Sequence, residues 1–340
     1  MKRFCITAAA IITTLALVAA RAQAPQRPAA DGGVRIAVQA ETIEAFEPRA
    51  PERSRFGELE FRGGLILTSS SRVFGGLSAI RVSPDGARLL ALSDKGQWFR
   101  GRIVYRAGRP VALEDVETAP MLGPDGRQLA ARGWYDTESI TEDNGTIYVG
   151  IERVHQIVRF DFAKDGFRAR GIPIAVPPEV RRLPSNKGLE CLAMPAKGMP
   201  LAGSLIAISE RGLDAEGNLR AFLIGGGNAG LFAVRRTDEF DVSDCTTTPR
   251  GDLLILERRF TLVSGVAMRI RRIPLSRIRP GVVVDGEVLI YADLGFQIDN
   301  MEGIAVHRSP QGDLVLTLIS DDNFSAMQRT LLLQFTLVGE

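Results

Sequence analysis

Residues 300–322, NMEGIAVHRSPQGDLVLTLISDD, contain the phrase that decides the fold. The acid Glu302 stands just before a short apolar run, a Pro-x-Gly turn follows, and a second apolar run ends at Asp321. Two apolar runs joined by a turn whose glycine can adopt a positive φ are typical of a β-hairpin. We therefore predict strand, tight turn and strand for this stretch.

Related phrases recur along the chain, each followed by a turn and a second apolar strand. Aligning their acids gives steps of 52, 54 and 58 residues; the aligned acids are Glu138, Glu190, Asp244 and Glu302. A further copy, FGGLSAI at residues 74–80, has Leu77-Ser78 where the others have an acid. The turns are SPDG, EDNG, TPRG and SPQG, and the copy at residues 186–192 has a longer connection.

Strand-rich repeats of this length indicate an all-β fold, a β-propeller of five four-stranded blades. The last unit has only one more strand, at residues 329–337, and an unpaired strand at residues 58–69 precedes the first phrase. We predict that this N-terminal strand joins the final blade and closes the ring. A sixth, degenerate blade within residues 94–136 and a pair of β-sandwiches are the alternatives.

The N-terminus is typical of a secretory signal peptide. Lys2 and Arg3 precede an apolar stretch at residues 4–20, and small residues suited to cleavage follow. We predict a cleaved signal over residues 1–22, a lead-in segment over residues 23–56 and a single propeller domain over residues 57–340. An uncleaved membrane anchor is the alternative, and no other segment is apolar enough to span a bilayer.

These boundaries predict a periplasmic or secreted protein that functions as a monomer. The full chain has 42 basic and 40 acidic residues, so its formal charge is +2. Removing residues 1–22 takes away three basic residues and no acidic ones, which leaves −1. A near-neutral protein gives no reason to expect a nucleic-acid partner.

The aligned acids are the main candidates for chemistry. The first strand of each propeller blade lines the central channel, so the acids that begin these strands should converge at one mouth. Hard oxygen ligands in such an arrangement suit Ca²⁺, and we therefore predict metal ligands at Glu138, Glu190, Asp244 and Glu302. Hydrogen bonds from these acids to neighbouring blades are the architectural alternative.

A second set of acids ends the second strand of each unit, and arginine follows in three copies. The acids are Asp94, Glu152, Glu210, Glu257 and Asp321. We interpret the Glu-Arg pairs chiefly as ion pairs between blades. Cationic side chains also bind anionic esters, and the candidates for this role are Lys187, Arg153, Arg211 and Arg258.

Two cysteines remain after signal cleavage. Cys191 and Cys245 each follow an aligned acid and so are assigned to the same position of consecutive units. We expect equivalent positions on adjacent inner strands to lie beyond the roughly 7 Å Cα separation of a disulfide. Two buried thiols are therefore favoured, and a disulfide stays open.

Several chemistries find no support in the sequence. The two histidines, His155 and His307, belong to no H-E-x-x-H zinc pattern, and His307 is expected to be exposed or in a turn. There is no G-x-S-x-G nucleophile elbow, P-loop or dinucleotide-binding G-x-G-x-x-G motif followed by a helix. We expect no organic cofactor.

Taken together, GGLSAIRVSPDG, DTESI, NKGLECLA, LIAISERG and NMEGIAV resemble the phytase-like family, which is described as having esterase-like activity. The resemblance spans residues 70–336. It implies an exported bacterial β-propeller that hydrolyses phosphoric or related esters, with Ca²⁺ as the implied cofactor.

The sequence thus predicts an ester hydrolase for a small anionic substrate, with catalytic roles for Glu138, Glu190 and Glu302. The alternatives are a propeller that binds a ligand or partner without catalysis and a lactonase-like hydrolase.

Overall fold

The chain folds into five sheets arranged around one axis, as described for residues 31–339 by a computed structural model. The strands of the first half are β1 (Val34–Arg35), β2 (Gln39–Ile43), β3 (Arg55–Phe56), β4 (Leu59–Thr68), β5 (Leu77–Val82), β6 (Arg88–Ser93), β7 (Gln97–Arg106), β8 (Arg109–Pro120), β9 (Thr137–Asp143), β10 (Thr146–Ile151), β11 (Gln156–Asp161) and β12 (Ile172–Pro173).

The strands of the second half are β13 (Leu189–Ala193), β14 (Leu205–Leu213), β15 (Leu219–Ile224), β16 (Gly230–Val234), β17 (Asp241–Thr247), β18 (Asp252–Thr261), β19 (Gly265–Pro274), β20 (Val283–Val284), β21 (Glu287–Asp293), β22 (Asn300–Arg308), β23 (Leu314–Asp321) and β24 (Thr330–Leu337). Helical segments are short: α1 (Phe162–Asp165) and the 3₁₀ turns Ala130–Arg132, Glu152–Val154, Gly166–Arg168, Val180–Arg182 and Leu275–Arg277.

Each sheet is one blade of a β-propeller, which confirms the predicted fold class. From the axis outward, blade 1 is β5-β6-β7-β8-β1, blade 2 is β9-β10-β11-β12, and blade 3 is β13-β14-β15-β16-β20. Blade 4 is β17-β18-β19-β21, and blade 5 is β22-β23-β24-β4-β2. The inner strand of every blade is the one that carries the repeated phrase.

The inner strands close the ring by packing side by side, β5 on β9, β9 on β13, β13 on β17, β17 on β22 and β22 on β5. Residues 97–120, where a sixth blade was the alternative, form β7 and β8 as the outer strands of blade 1. The N-terminal strand β4 pairs antiparallel with β24 of the final blade, from Leu59↔Leu337 to Leu67↔Thr330. The predicted signal peptide lies outside the described residues.

Turn chemistry explains why the inner hairpins form where the sequence predicts them. The turns SPDG, EDNG, TPRG and SPQG each end in a glycine with φ between +74° and +93°. These glycines are Gly86, Gly145, Gly251 and Gly312. This backbone region costs glycine little and most other residues considerably more.

The hydrophobic core is divided among the interfaces between blades. One cluster, for example, joins Ile208 and Ile206 of blade 3 to Leu253 and Ile255 of blade 4. Four further clusters fill the other interfaces around the ring. Within residues 31–339 there is no helix long and apolar enough to span a membrane.

Candidate functional site

A β-bulge interrupts every inner strand at the same position. The register with the second strand shifts around one extra residue in each blade; the bulged residues are Ser78, Glu138, Glu190, Ser243 and Glu302. A bulge bends the strand and redirects its side chain, and bulges are frequent next to functional sites. We call these five residues the first-strand ring.

The sequence alignment of Asp244 with the glutamates is therefore wrong by one residue. Ser243, not Asp244, occupies the bulge in blade 4. Asp244 is fully buried deeper in the channel, where its carboxylate accepts hydrogen bonds from the backbone N–H groups of Ile304 (2.8 Å) and Cys245 (2.7 Å). Burial raises the pKa of Asp244 to about 7, and its contacts assign it to the joining of blades 4 and 5.

Two members of the first-strand ring hold the blades together. The hydroxyl of Ser78 donates to the carbonyl of Thr137 on blade 2 (2.6 Å), and that of Ser243 donates to the carbonyl of Met301 on blade 5 (2.9 Å). In blades 1 and 4, the hydrogen bonds to the neighbouring blade that were the architectural alternative for the aligned acids are thus made by serines at the bulge. The three glutamates are left to line the mouth.

The ends of the second strands supply a second ring at the same mouth. In each blade, the residue before the bulge pairs with a residue of the second strand, and the residue that follows this partner belongs to the second ring. The members are Asp94, Glu152, Glu210, Arg258 and Asp321. We call this the second-strand ring. Blade 4 contributes Arg258 and not Glu257, which is fully buried within the blade against Arg269 and Arg271.

Arg258 and Lys187 neutralise part of the acidic mouth. The guanidinium of Arg258 lies 3.2 Å from Glu302 and 3.5 Å from Glu210, and it donates to the side-chain oxygen of Asn300 (3.0 Å). The ammonium of Lys187 donates to the other oxygen of Glu210 (2.7 Å). These contacts bring the predicted residues Lys187, Arg258 and Glu302 together.

Glu138 and Glu190 are not compensated in this way. No residue within 31–339 donates a hydrogen bond or forms an ion pair with either carboxyl group, although Glu190 is buried. Burial raises the pKa of both glutamates well above the ordinary value, and the neighbouring carboxylates raise it further. Burial likewise raises the pKa of Glu302 to about 8 and that of Asp321 to about 7.

Three carboxylates at the mouth have the spacing of a cation site. One oxygen each from Glu152, Glu190 and Glu210 lies within 4.8 Å of the others, and all three side chains are buried. Oxygen ligands around one Ca²⁺ at 2.3–2.6 Å can be at most about 5.2 Å apart. The hard oxygen donors and their spacing therefore fit a calcium ion.

The three carboxylates that converge are not the set that the sequence predicts as metal ligands. Glu190 belongs to both, whereas Glu152 and Glu210 were interpreted as interblade ion-pair residues. Glu138 and Glu302 lie close enough to raise the pKa of Glu190, so they belong to the same mouth. The sequence does mark Glu152 and Glu210, because an acid recurs after the second apolar run of each unit. Spacing along the chain does not show, however, that these two acids and Glu190 lie close together in space.

Arg81 crosses the channel below the two rings, and the sequence analysis did not single it out. From blade 1 its guanidinium donates to the carbonyls of Leu192 (3.0 Å), Cys245 (3.1 Å) and Ile304 (3.1 Å), and it pairs with Asp244 (3.3 Å). It thereby connects the inner strands of blades 3, 4 and 5 and gives the mouth a polar floor.

Comparison with known proteins identifies the family of the chain. Residues 72–324 match the family described as "Phytase-like: Esterase-like activity of phytase". The chain belongs to this phytase-like family. Membership suggests a hydrolase-type function, and no curated protein sequence matches the chain.

Two solved structures show distant likeness to this phytase-like chain. "Crystal structure of Nidogen/Laminin Complex" contains a chain of 10% identity and TM-score 0.39, with 83% of this chain and 88% of that chain covered. "Crystal structure of RRP9 WD40 repeats" gives 10% identity and TM-score 0.41, with 77% and 95% covered. Neither likeness bears on function.

The other predicted cationic residues of the phytase-like mouth lie at its rim. Arg211 is held by the carboxylate of Asp241 on the next blade, at 2.9 Å from its Nε, which fits the predicted interblade ion pair. Arg153 is exposed and packs over the ring of Tyr135, 5.4 Å from its centroid. Neither side chain contacts the glutamates of the first-strand ring.

Cys191 and Cys245 form a disulfide between blades 3 and 4, with a Cα–Cα distance of 5.1 Å. The preference for two thiols was wrong because the cysteines do not occupy equivalent positions. Cys191 matches Asp244, and Cys245 lies one residue further along its strand. Since side chains alternate between the faces of a strand, this offset lets one cysteine face blade 4 and the other face blade 3.

His307 is also placed differently from its prediction. It lies within β22, is buried and faces the interface between blades 5 and 1, far along the strand from Glu302. Burial lowers the pKa of His307 to about 4. It therefore has no part in the mouth.

Proposed function

We propose that this phytase-like propeller is an exported hydrolase of anionic esters that uses a divalent cation, Ca²⁺ by donor chemistry, at its channel mouth. The observation that supports this most is the excess of buried carboxylates over cations. Glu152, Glu190 and Glu210 converge within 4.8 Å, whereas the cations that contact them are Lys187 and Arg258 within the described chain.

An excess of buried negative charge is unfavourable unless protons or a cation neutralise it. The raised pKa values of Glu138 and Glu190 express this cost. Glu152, Glu190 and Glu210 would hold the ion. When bound, the cation would supply the positive charge that polarises the ester oxygen during hydrolysis.

The protein's own side chains supply the remaining roles. Arg258 and Lys187 bind and orient the anionic group of the substrate, since both reach the mouth with donors that carboxylates only partly occupy. Glu138 holds a proton at pH values where an exposed glutamate is ionised, because burial and its neighbours raise its pKa. It can therefore exchange a proton with the reacting oxygen.

The test is hydrolysis of a panel of phosphate monoesters, phosphate diesters, carboxylate esters and lactones by the mature protein, with Ca²⁺ and with a chelator. We expect Glu190→Gln to lower kcat/KM by about a hundredfold or more, as for loss of one electrostatic contact in an active site. Glu142→Gln, an exposed acid on β9 away from the mouth, is the matched control and should retain activity.

Activity that survives both complete chelation and Glu190→Gln would contradict the cation-assisted mechanism. Turnover confined to lactones would identify the lactonase-like alternative. The non-catalytic alternative predicts no turnover across the panel together with ligand-dependent thermal stabilisation. The internal ion pairs of Glu210 with Lys187 and Arg258 are the observation that favours it.

A further inference from the structure

The hairpin between β18 and β19 projects from blade 4 on the mouth face. The two strands pair as far as Thr261↔Gly265, whereas the neighbouring strands stop earlier, at Asp241↔Arg258 for β17 and Asp293↔Ala267 for β21. Residues 259–266 therefore extend beyond the rest of the blade. Because Arg258 stands at the base of the hairpin, the tip projects from the mouth face of blade 4.

The tip is apolar and almost fully exposed. Leu262 is 96% exposed and Val263 99%, and Phe260 beside them is 67% exposed. Met327, 92% exposed, lies in the β23–β24 connection at the same end of blade 5. These are the most exposed large apolar side chains among residues 31–339, and they share the mouth face. Such exposure is uncommon on a soluble protein unless the residues meet a partner.

The hairpin of blade 3 shows that projection does not require an apolar tip. Strand β14 also runs three residues past its ring member, from Glu210 to Leu213, as β18 runs from Arg258 to Thr261. Its tip reads DAEGN at residues 214–218, and the carboxylate of Asp214 accepts hydrogen bonds from the backbone N–H groups of Glu216 and Asn218. The apolar tip of blade 4 is thus absent from the equally long hairpin of blade 3.

Cations surround the mouth just outside the second-strand ring. The residue after the ring member is basic in four blades; these residues are Lys95, Arg153, Arg211 and Arg259. Lys95, Arg153 and Arg211 are exposed. Asp238 and Glu239 are also exposed near the hairpin, and blade 5 has Asp322 at the position that is basic in the other four blades. The rim therefore combines both signs, with basic residues on blades 1 to 4.

We propose that the mouth face docks on a phospholipid bilayer, with Leu262 and Val263 inserted among the acyl chains and the rim cations against anionic headgroups. Apolar side chains leave water on insertion, and each basic residue near an anionic surface adds further attraction. The proposal goes beyond the proposed hydrolysis and does not depend on it, since lipid binding is measured without turnover.

The test is co-sedimentation of the mature protein with vesicles of phosphatidylcholine alone and of phosphatidylcholine mixed with phosphatidylglycerol. Binding is expected to both, and to be tighter with the anionic lipid. The double variant Leu262→Asp, Val263→Asp should weaken partitioning by about tenfold or more. Ala215→Asp, which adds a charge to the exposed tip of the blade 3 hairpin, is the matched control and should bind as the parent does.

Thermal unfolding verifies that the variants remain folded. We expect them to be folded because the substituted side chains are almost fully exposed. Val263→Trp provides a second measurement, because its fluorescence should shift to the blue on vesicles if the tip inserts. Absence of binding to both vesicle types, or binding equal in parent and double variant, would overturn the proposal. A dimer in analytical ultracentrifugation that the double variant abolishes, without vesicle binding, would assign the tip to a second copy and also overturn it.

Discussion

Arg258 carries the only positive charge among the ten side chains of the two rings. It contacts Glu302 and Glu210 from different blades, and it occupies the position that other blades fill with an acid. Its presence in blade 4 makes the mouth asymmetric, with a cationic side next to the glutamates that fit a metal. In the proposed function, this single departure from the repeat separates the place for the anionic substrate group from the place for the cation.

Replacing Arg258 should therefore affect stability as well as activity. Arg258→Gln leaves Glu302 and Glu210 with less compensation, and we expect a loss of about 1–3 kcal/mol, below the usual cost for a fully buried pair because the side chain is partly exposed. Urea unfolding measures this. Arg132→Gln, which breaks the surface pair with Asp125, should cost at most about 0.5 kcal/mol.

A double-mutant cycle tests the assignment to the ion pair. Adding Glu302→Gln to Arg258→Gln should restore part of the lost stability, because the uncompensated carboxylate is removed. Strictly additive losses would show that Arg258 does not stabilise the fold through its pair with Glu302.

At the scale of elements, the disulfide between β13 and β17 links two inner strands that otherwise contact only through side chains. It closes a loop with a sequence separation of 54 residues, and restriction of the unfolded chain by such a loop stabilises a protein by typically about 2–4 kcal/mol. We expect Cys191→Ala, Cys245→Ala to lose about this much in urea unfolding under non-reducing conditions.

The parent protein unfolded in the presence of reductant is the matched comparison, and it should resemble the double variant. Equal stability with and without reductant would mean that the link contributes nothing. Because Cys191 follows Glu190 directly, the double variant should also bind Ca²⁺ more weakly than the parent if the two strands fix the spacing of the site.

The repeat phrase predicted the elements well and the site only in part. Turn glycines and apolar runs are local signals, so the inner hairpins and the five blades could be inferred from them. The register of the bulge in blade 4 was not inferred, because two alignments compete there. Matching the acids aligns Asp244 with the glutamates, whereas matching the buried residue before the bulge, Val242, aligns Ser243 with them. Alignment on the buried residue before each bulge, which is apolar in four blades and Thr137 in blade 2, would have placed Ser243 correctly.

The convergence of Glu152, Glu190 and Glu210 depends on contacts between blades 2 and 3. Glu190 lies on an inner strand, Glu152 directly follows the second strand β10, and Glu210 lies within the second strand β14. Their distances follow from how adjacent blades pack around a five-membered ring. No sequence spacing encodes that packing directly. The same limit applies to Arg81, whose partners lie on three other blades.

At the scale of the whole molecule, the acidic mouth should make stability depend on pH. Glu302 and Asp321 have folded-state pKa values raised to about 8 and about 7, and those of Glu138 and Glu190 are also raised. Between the unfolded values near 4 and these folded values, the native state binds more protons than the unfolded state. Stability therefore falls as pH rises through this window.

We accordingly expect the midpoint of thermal unfolding in chelator to be higher at pH 5 than at pH 8. Ca²⁺ should offset the loss at pH 8 and have little effect at pH 5, where protons compete for the carboxylates. Glu142→Gln should follow the parent, whereas Glu302→Gln should flatten the profile. A midpoint that rises between pH 5 and pH 8 in chelator would contradict the raised pKa values.

The central claim, a divalent cation held at the channel mouth, is tested most directly by isothermal titration of Ca²⁺ into chelator-stripped protein that lacks residues 1–22. The account predicts saturable binding that Glu190→Gln abolishes and Glu142→Gln preserves. Absence of saturable binding, or binding that is equal in the parent and in Glu190→Gln, would contradict it.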